Sequence, residues 1–469
     1  MIVGRRKGQK KEKMMKKKAP VVKNQEFDAE VIDLTYQGNG VVKVDDFPVF
    51  VTNAVPGEKI RVGITKVTSN YAFGRVVKTI ESSPNRNHMV NTAALTTGIA
   101  PLAHLKYDAQ LKFKQQQIAE LFNKQHVDVN VAPTIGMENP TGYRNKAQIP
   151  AREIKGQLTT GFFRRGSHRL MPIEDFYIQD PEIDKAIVII RDILRKFHIA
   201  AYDEVHHKGV IRNIMVRRGY YSHEMMVVLV TRSKRIPGAN IIIPQIKEAL
   251  PEVTSIIQNI NQDKTNVILG DVNHVLWGNK VIKDTLFDKT FAIGPNSFYQ
   301  VNPQTTEVLY KLAADKAELT GNETVIDAYS GIGTISLTIA DKVKSVLGVE
   351  VVPAAIDDAK RNADLNNVHN VKFELGKAEE KMVAWQQDGL QPDVIFVDPP
   401  RKGLTPELID AASAMAPKKI VYISCNPATL VRDIVQFEEN GYTIKGDVQP
   451  VDQFPQTTHI ESVTVLERD

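Results

Sequence analysis

The sequence predicts a multidomain α/β protein whose last third is a doubly wound parallel sheet. Five short β-branched runs, at residues 325–329, 345–352, 371–374, 393–397 and 419–423, alternate with helix-compatible stretches, the rhythm of parallel strands joined by crossover helices. Residues 25–80 instead place strand-length runs roughly every 8–12 residues with no helical period, which predicts a small β-barrel. At 469 residues the chain is too long for one core, so at least one further domain lies between them.

Taken in order, residues 1–23 hold ten Lys/Arg against one Glu and no apolar run behind them, so they read as a basic disordered tail and not as a signal peptide. Residues 24–82 form the barrel, with turns at Gly38-Asn-Gly40 and Pro56-Gly57. This stretch resembles the TRAM domain, an OB-like RNA-binding barrel. Tyr36, Tyr71 and Phe73 either stack on bases or fill the barrel. Residues 83–290 follow as an α+β central domain: a linker at 82–87, apolar residues at helical spacing over 107–122, then a basic hairpin. In that hairpin Arg144, Lys146, Lys155, Arg164, Arg165 and Arg169 interleave with Tyr143, Phe162 and Phe163, a mixture that grips phosphates and stacks on splayed bases; a solvated charged hairpin is the alternative. Trp277 and Phe287 are expected in this domain's core. Residues 291–469 hold the parallel sheet and end in two further strands, a closing antiparallel hairpin.

Charged residues at 25% and hydrophobic ones at 42% describe a soluble globular protein, and no apolar run reaches the length of a membrane span. Cys425 is the only cysteine, which excludes a disulfide scaffold and any cysteine-ligated zinc or iron–sulfur site and suits a reducing cytoplasm. The formal charge of +5 is unevenly spread: +9 over residues 1–23, +6 over 24–290 and −10 over 291–469. Polyanion contacts therefore fall to the N-terminal two thirds.

Ligands of doubly wound sheets bind outside the carboxyl ends of the strands, and the motifs concentrate there. The first strand ends in Asp327-Ala-Tyr-Ser-Gly-Ile-Gly-Thr334, where Gly331 and Gly333 allow close backbone approach, and the second delivers Glu350 toward ribose hydroxyls. This pairing does not separate a dinucleotide from S-adenosylmethionine. The fourth strand ends in Asp398-Pro-Pro-Arg401, with a carboxylate suited to the amide edge of a nucleobase, and Gln300 in Asn296-Ser-Phe-Tyr-Gln-Val-Asn302 can both donate and accept. Cys425 sits where a strand meets a helix start. Asn426 suits the N-cap and Pro427 the first turn, a placement expected to favour the thiolate; a small buried hydrophobe is the alternative.

Together Asn296-Ser-Phe-Tyr-Gln-Val-Asn302, Asp327-Ala-Tyr-Ser-Gly-Ile-Gly, Phe396-Val-Asp-Pro-Pro-Arg-Lys-Gly403, Ile423-Ser-Cys-Asn-Pro427 and His459-Ile-Glu461 resemble the S-adenosylmethionine-dependent RNA uracil-5-methyltransferases, over nearly the whole chain beyond residue 22. The resemblance implies a class I methyltransferase sheet, with Gln300, Tyr329, Glu350 and Asp398 as binding positions, Cys425 as nucleophile and Glu461 as proton acceptor. Many bacterial members that modify 23S rRNA carry a four-cysteine iron–sulfur cluster; here residues 91–100 and 179–181 contain no cysteine, so none can be built. The expected reaction is methylation at C5 of uridine, with S-adenosylmethionine as the sole cofactor, 23S rRNA as partner, and a cytoplasmic monomer as the acting species. tRNA uridine methylation, and a non-catalytic ribosome-assembly factor, are the alternatives. RNA cytosine-5 methylation typically needs two cysteines, and amino-group methylation an aromatic residue where Arg401 stands.

Overall fold

The computed structural model describes residues 19–90 and 92–468, so the basic tail up to Lys18 lies outside the described residues. The chain divides into two compact units, one up to His88 with His104–Lys106, the other Met89–Ala103 with Tyr107 onward.

The first unit is a curled six-stranded sheet in the order Glu26–Glu30, Lys59–Val67, Ala72–Glu81, Phe47–Thr52, Gly40–Val44, Asp33–Leu34. Its two edge strands are consecutive in sequence. The ladder does not close, yet Val31 and Ile32 carry the chain from one edge to the other, donating to the carbonyls of Glu58 and Val41 at 2.9 Å each. Gly40 and Gly74 permit the curl, since a Cβ at either would lie 2.7–2.8 Å from a neighbouring side chain. Val21, expected in the tail, is 2% exposed inside this unit's core. Tyr71 lies 5.5 Å from both Phe50 and Phe73 in an aromatic cluster at the surface, and Tyr36 is 74% exposed. None of the three expected aromatics belongs to the buried core.

The second unit contains two large sheets over a shared core. One has seven strands, in the order Val272–Gly278, Val253–Ile260, Met225–Thr231, Ile211–Arg218, Lys146–Ile154, Gln157–Phe163, Leu170–Pro172. Ala147, Ile149 and Val216 on one face pack against the helices Pro181–Lys196 and Ala239–Ala249. Met215, Val228 and Ile257 on the other share a cluster with Phe291, Tyr299, Leu309 and Val463. Trp277 packs at the margin of the first cluster, while Phe287, expected in a core, is 40% exposed. Phe287 occupies the turn between the strands Ile282–Leu286 and Lys289–Ile293 at φ +54°, and a tight turn turns its side chain outward.

The eight-stranded sheet follows the predicted doubly wound pattern. Its order is Val371–Leu375, Ser345–Glu350, Thr324–Asp327, Val394–Val397, Lys419–Ser424, Glu461–Arg468, Tyr442–Ile444, with Gln449–Val451 also on Glu461–Arg468. The first five are parallel; Glu461–Arg468 runs antiparallel to Lys419–Ser424, and Tyr442–Ile444 and Gln449–Val451 each pair antiparallel with Glu461–Arg468. Chain order reverses at Thr324–Asp327 and Val394–Val397, so the switch point lies between their carboxyl ends. Helix Tyr107–Lys124 belongs to this layer: Ile118 and Phe122 pack with Leu430, Ile434 and Phe437. Among the described residues no helix is long and apolar enough to cross a membrane.

Candidate active site

Sheet register brings the expected reactive groups together. Ser424 pairs with Ser462, so Cys425 and Glu461 flank the next step of that antiparallel ladder. Val397 lies beside Tyr422 in the parallel pair, which sets Asp398 at the same carboxyl edge. The groups sense one another. Burial pushes the Glu461 carboxyl well above its usual range, with Asp398 adding to the shift and Arg401 opposing it. Asp398 is pushed up to about 7, by burial and then by Asp327. The Cys425 thiol is pushed up to about 12 by burial, then by Glu461 and Asp398, against the pull of Arg401. This corrects the expected thiolate-favouring placement. Asn426 does cap the helix Pro427–Glu439, accepting from Ala428 N at 3.2 Å, but burial beside two carboxyls outweighs that end of the helix.

The loops are tied to each other. Asn426 Nδ2 donates to the Arg401 carbonyl at 2.8 Å, joining the Cys425 and Asp398 loops. Behind them the buried Asp433 accepts from Leu404 N and from the Tyr422 hydroxyl, each at 2.7 Å. Arg432 donates to the carbonyls of Lys402 and Leu404. His459 Nε2 lies 3.4 Å from the Arg401 guanidinium, and burial together with Arg401, Lys114 and Arg144 lowers its pKa to about 4, so it is neutral at physiological pH.

On the other side of the switch point the glycine loop forms a cradle. Gly331 has φ +53° with open space where a Cβ would project, and its N–H donates to Glu350 Oε2 at 3.1 Å. Val352 N holds the other Glu350 oxygen at 2.8 Å, so the carboxylate is fixed with lone pairs to spare. Gly333, at φ +87°, is needed for packing, since its Cβ would meet Phe373 at 2.9 Å. Tyr329 is half-buried against the cluster beneath this loop. Two buried oxygens here lack partners: Asp327 Oδ1, on a carboxyl raised to about 6 chiefly by burial, and Ser330 Oγ. A cradle with free acceptors and a positioned carboxylate fits a ligand bearing ribose hydroxyls and a cationic amino group.

Gln300 is 9% exposed, with its side chain near the hydroxyl of buried Tyr310, which lies 3.5 Å from Thr334 Oγ1. Its loop hangs on Arg217, a fully buried guanidinium that donates to the carbonyls of Gly294 at 3.0 Å and Ser297 at 2.8 Å. Asn145 adds a bond to the Gln300 carbonyl at 3.3 Å. The segment entering Glu461 is held from several elements. Lys114 and Asp452, both fully buried, pair at 2.5 Å, and Tyr107 donates to Asp452 at 3.0 Å. Gln110 exchanges bonds with Gln456, and Tyr143 donates to the Pro455 carbonyl.

The expected RNA contacts separate. Arg144 lies near enough to His459 to depress its pKa, and Lys146, lowered to about 7 by burial, Arg217 and Arg144, faces the same side. Arg164, Arg165 and Arg169 sit in the exposed connection between Gln157–Phe163 and Leu170–Pro172. Sequence reasoning missed Arg217, Lys114 and Asp452, whose residue types read as surface charge. It weighed Arg401 only as the absence of an aromatic residue, although its place after the diproline was a usable signal.

The chain is similar to known proteins along most of its length. Residues 106–469 match the tRNA (Uracil-5-)-methyltransferase family, and residues 20–77 match the TRAM domain. The chain is 64% identical to an uncharacterized RNA methyltransferase of Lactiplantibacillus plantarum, over 97% of this chain and all of that one. It is 52% identical to another from Enterococcus faecalis, over 96% and 99%. Among solved structures it is similar to the Pyrococcus abyssi tRNA (uracil-54, C5)-methyltransferase in complex with S-adenosyl-L-homocysteine, with TM-score 0.75 and 28% identity, covering 94% of this chain and 99% of that one. The parallel sheet with its glycine cradle is thus an S-adenosylmethionine-dependent methyltransferase fold, and the chain belongs to the tRNA (uracil-5-)-methyltransferase family of RNA methyltransferases.

Proposed function

We propose that the protein methylates C5 of a uridine in 23S rRNA, through a covalent bond between Cys425 and C6 of the base. The observation that carries the chemistry of this reading is the convergence of one thiol, two carboxyls of raised pKa and one guanidinium at the carboxyl edge of the sheet, beside a cradle suited to a nucleoside. Glu350, the Gly331 loop and the free acceptors of Asp327 and Ser330 hold S-adenosylmethionine, which supplies an electrophilic methyl group on a sulfonium.

Uracil C5 is too poor a nucleophile to take that methyl group unaided. Sγ of Cys425, as thiolate, adds to C6; the C5–C6 π pair moves toward O4, and C5 gains enolate character. Arg401 favours the thiolate, since its charge lowers the thiol's pKa, as does a backbone hydrogen bond at Cys425. Asp398 and Gln300 hold the polar edge of the ring and steady the developing charge. C5 would then bond to the methyl carbon as the methyl–sulfur bond breaks and the neutral thioether, S-adenosylhomocysteine, leaves with that electron pair. Glu461 takes the C5 proton, the C5–C6 double bond reforms, and Cys425 leaves as thiolate. A buried carboxylate of raised pKa is a stronger base than one in water, which suits Glu461 to this step. None of these atoms is reachable inside a stacked helix, so the target base is single-stranded or flipped out.

A second reading, tRNA as substrate, is favoured by the likeness to the Pyrococcus abyssi tRNA enzyme. Mapping 5-methyluridine in both RNA classes, with and without the gene, separates the two. For the chemistry, Cys425→Ala abolishes methyl transfer and retains S-adenosylmethionine binding, whereas Glu461→Gln accumulates a denaturation-resistant protein–RNA adduct. Turnover by the first variant would remove the covalent step, and normal turnover by the second would require another base.

A further inference from the structure

The face of the seven-stranded sheet opposite the helices packs on the shared core at Met215, Val228 and Ile257, and beyond that contact it borders a cleft of about 860 Å³ that the proposed reaction leaves unused. Strand Lys146–Ile154 starts beside Gln300, whose carbonyl accepts from Asn145. Along it Ala147, Ile149 and Ala151 face the helices, so Lys146, Gln148, Pro150 and Arg152 line the opposite face. Arg152 stands roughly 20 Å beyond Lys146 at the strand's rise. There its guanidinium lies 5.4 Å from the Phe163 ring and 5.7 Å from the Tyr202 ring, and pairs at 3.6 Å with Glu204, which also lines the cleft on this wall. The facing wall is built by Arg212, which donates to the carbonyls of Asn261, Asp263 and Thr265 and so fixes that loop. This loop presents Lys264 to the cleft, exposed and without an ion pair among the described residues.

Stacked planar groups on one wall and a free ammonium on the other match a planar base joined to a phosphate. The volume suits such a ligand. We infer that this cleft is a second nucleotide subsite, which takes a residue of the substrate RNA flanking the methylated uridine. Its base stacks on Phe163 beside Arg152, with the buried Tyr202 backing that guanidinium, and its phosphate lies near Lys264. Held at both ends of the strand, the RNA is drawn taut across Lys146, which helps to keep the target base unstacked.

The inference rests on RNA being the substrate. Its test uses the full chain with fluorescein-labelled single-stranded RNAs of 4 and 12 nucleotides and, separately, AMP. Phe163→Ala and Lys264→Ala each weaken the 12-mer about tenfold while binding of the 4-mer and of S-adenosylmethionine stays unchanged; Phe163→Tyr restores the 12-mer, and Lys264→Ala lowers the salt slope by about one. In methyl-transfer assays the same variants raise KM and leave kcat unchanged. Unaltered 12-mer affinity in both variants overturns the subsite, as does tight AMP binding with the 12-mer unaffected, or a fall in kcat alone. If the wild-type protein transfers no methyl group to any RNA, the proposed function fails, while the binding measurements still decide the subsite.

Discussion

Cys425 shows how one residue's chemistry is set by its neighbours. Its position at a strand-to-helix junction was legible, yet the sign of its pKa shift was not, because Glu461 and Asp398 reach it only through sheet register. Alkylation of the ligand-free enzyme by iodoacetamide at pH 8 is accordingly expected to be slow. Asp398→Asn should speed it several-fold, since the Asp398 carboxyl, raised to about 7, is ionised at pH 8 and its charge holds the proton on sulfur. Equal rates would assign the whole shift to burial. Asp398 offers a second test. Its carboxyl rises from near 3.8 to about 7, so between those values the folded state binds the extra proton, and this group's contribution to stability is lost as pH rises toward 7. Asp398→Asn should therefore stabilise the ligand-free protein by about 1–3 kcal/mol at pH 8, and less near pH 4, while activity falls. Thermal melts across that range read both effects. A variant no more stable than the wild type at pH 8 would show that Asp398 costs the fold nothing.

At the scale of the element, the glycine cradle divides its labour between two residues that look alike in sequence. Gly331 borders open space and Gly333 presses on Phe373, although both have left-handed backbones. Gly331→Ala should cost about 1 kcal/mol of stability and chiefly weaken S-adenosylmethionine, because the new methyl projects into the cradle. Gly333→Ala should cost about 2–3 kcal/mol and lower the melting temperature before any effect on ligand affinity. Calorimetric titration and chemical denaturation of both variants distinguish the roles; matching losses in each would mean that the loop acts as one unit. The expected basic hairpin likewise divided, with Arg144 and Lys146 beside the catalytic mouth and Arg164, Arg165 and Arg169 on an exposed connection. Sequence spacing says which charges are near in the chain and not which face of a pleat they occupy.

For the molecule as a whole, the site depends on distant segments meeting. Helix Tyr107–Lys124 fixes the segment that delivers Glu461 through the buried pair of Lys114 and Asp452. Lys114→Met leaves Asp452 buried without its partner, and should cost about 3–5 kcal/mol and reduce kcat by misplacing Glu461. Lys114→Met combined with Asp452→Leu should recover stability and leave the kcat defect, as read by urea denaturation beside methyl-transfer assays. Full recovery of both would show that the pair only fills space.

The sequence by itself determined the parallel sheet, the motifs at its carboxyl edge, the identity of the single thiol and the incapacity for a cysteine-held cluster. These follow from local pattern and residue type, which are written along the chain. The tertiary structure alone decided that Cys425 is a thiol of raised pKa, that Lys114, Asp452 and Arg217 are buried scaffolding for Glu461 and Gln300, and that Phe287 lies outside the core. Each of those depends on burial and on charges brought together across hundreds of residues, and desolvation is a property of the folded surroundings, with no local signature in the chain.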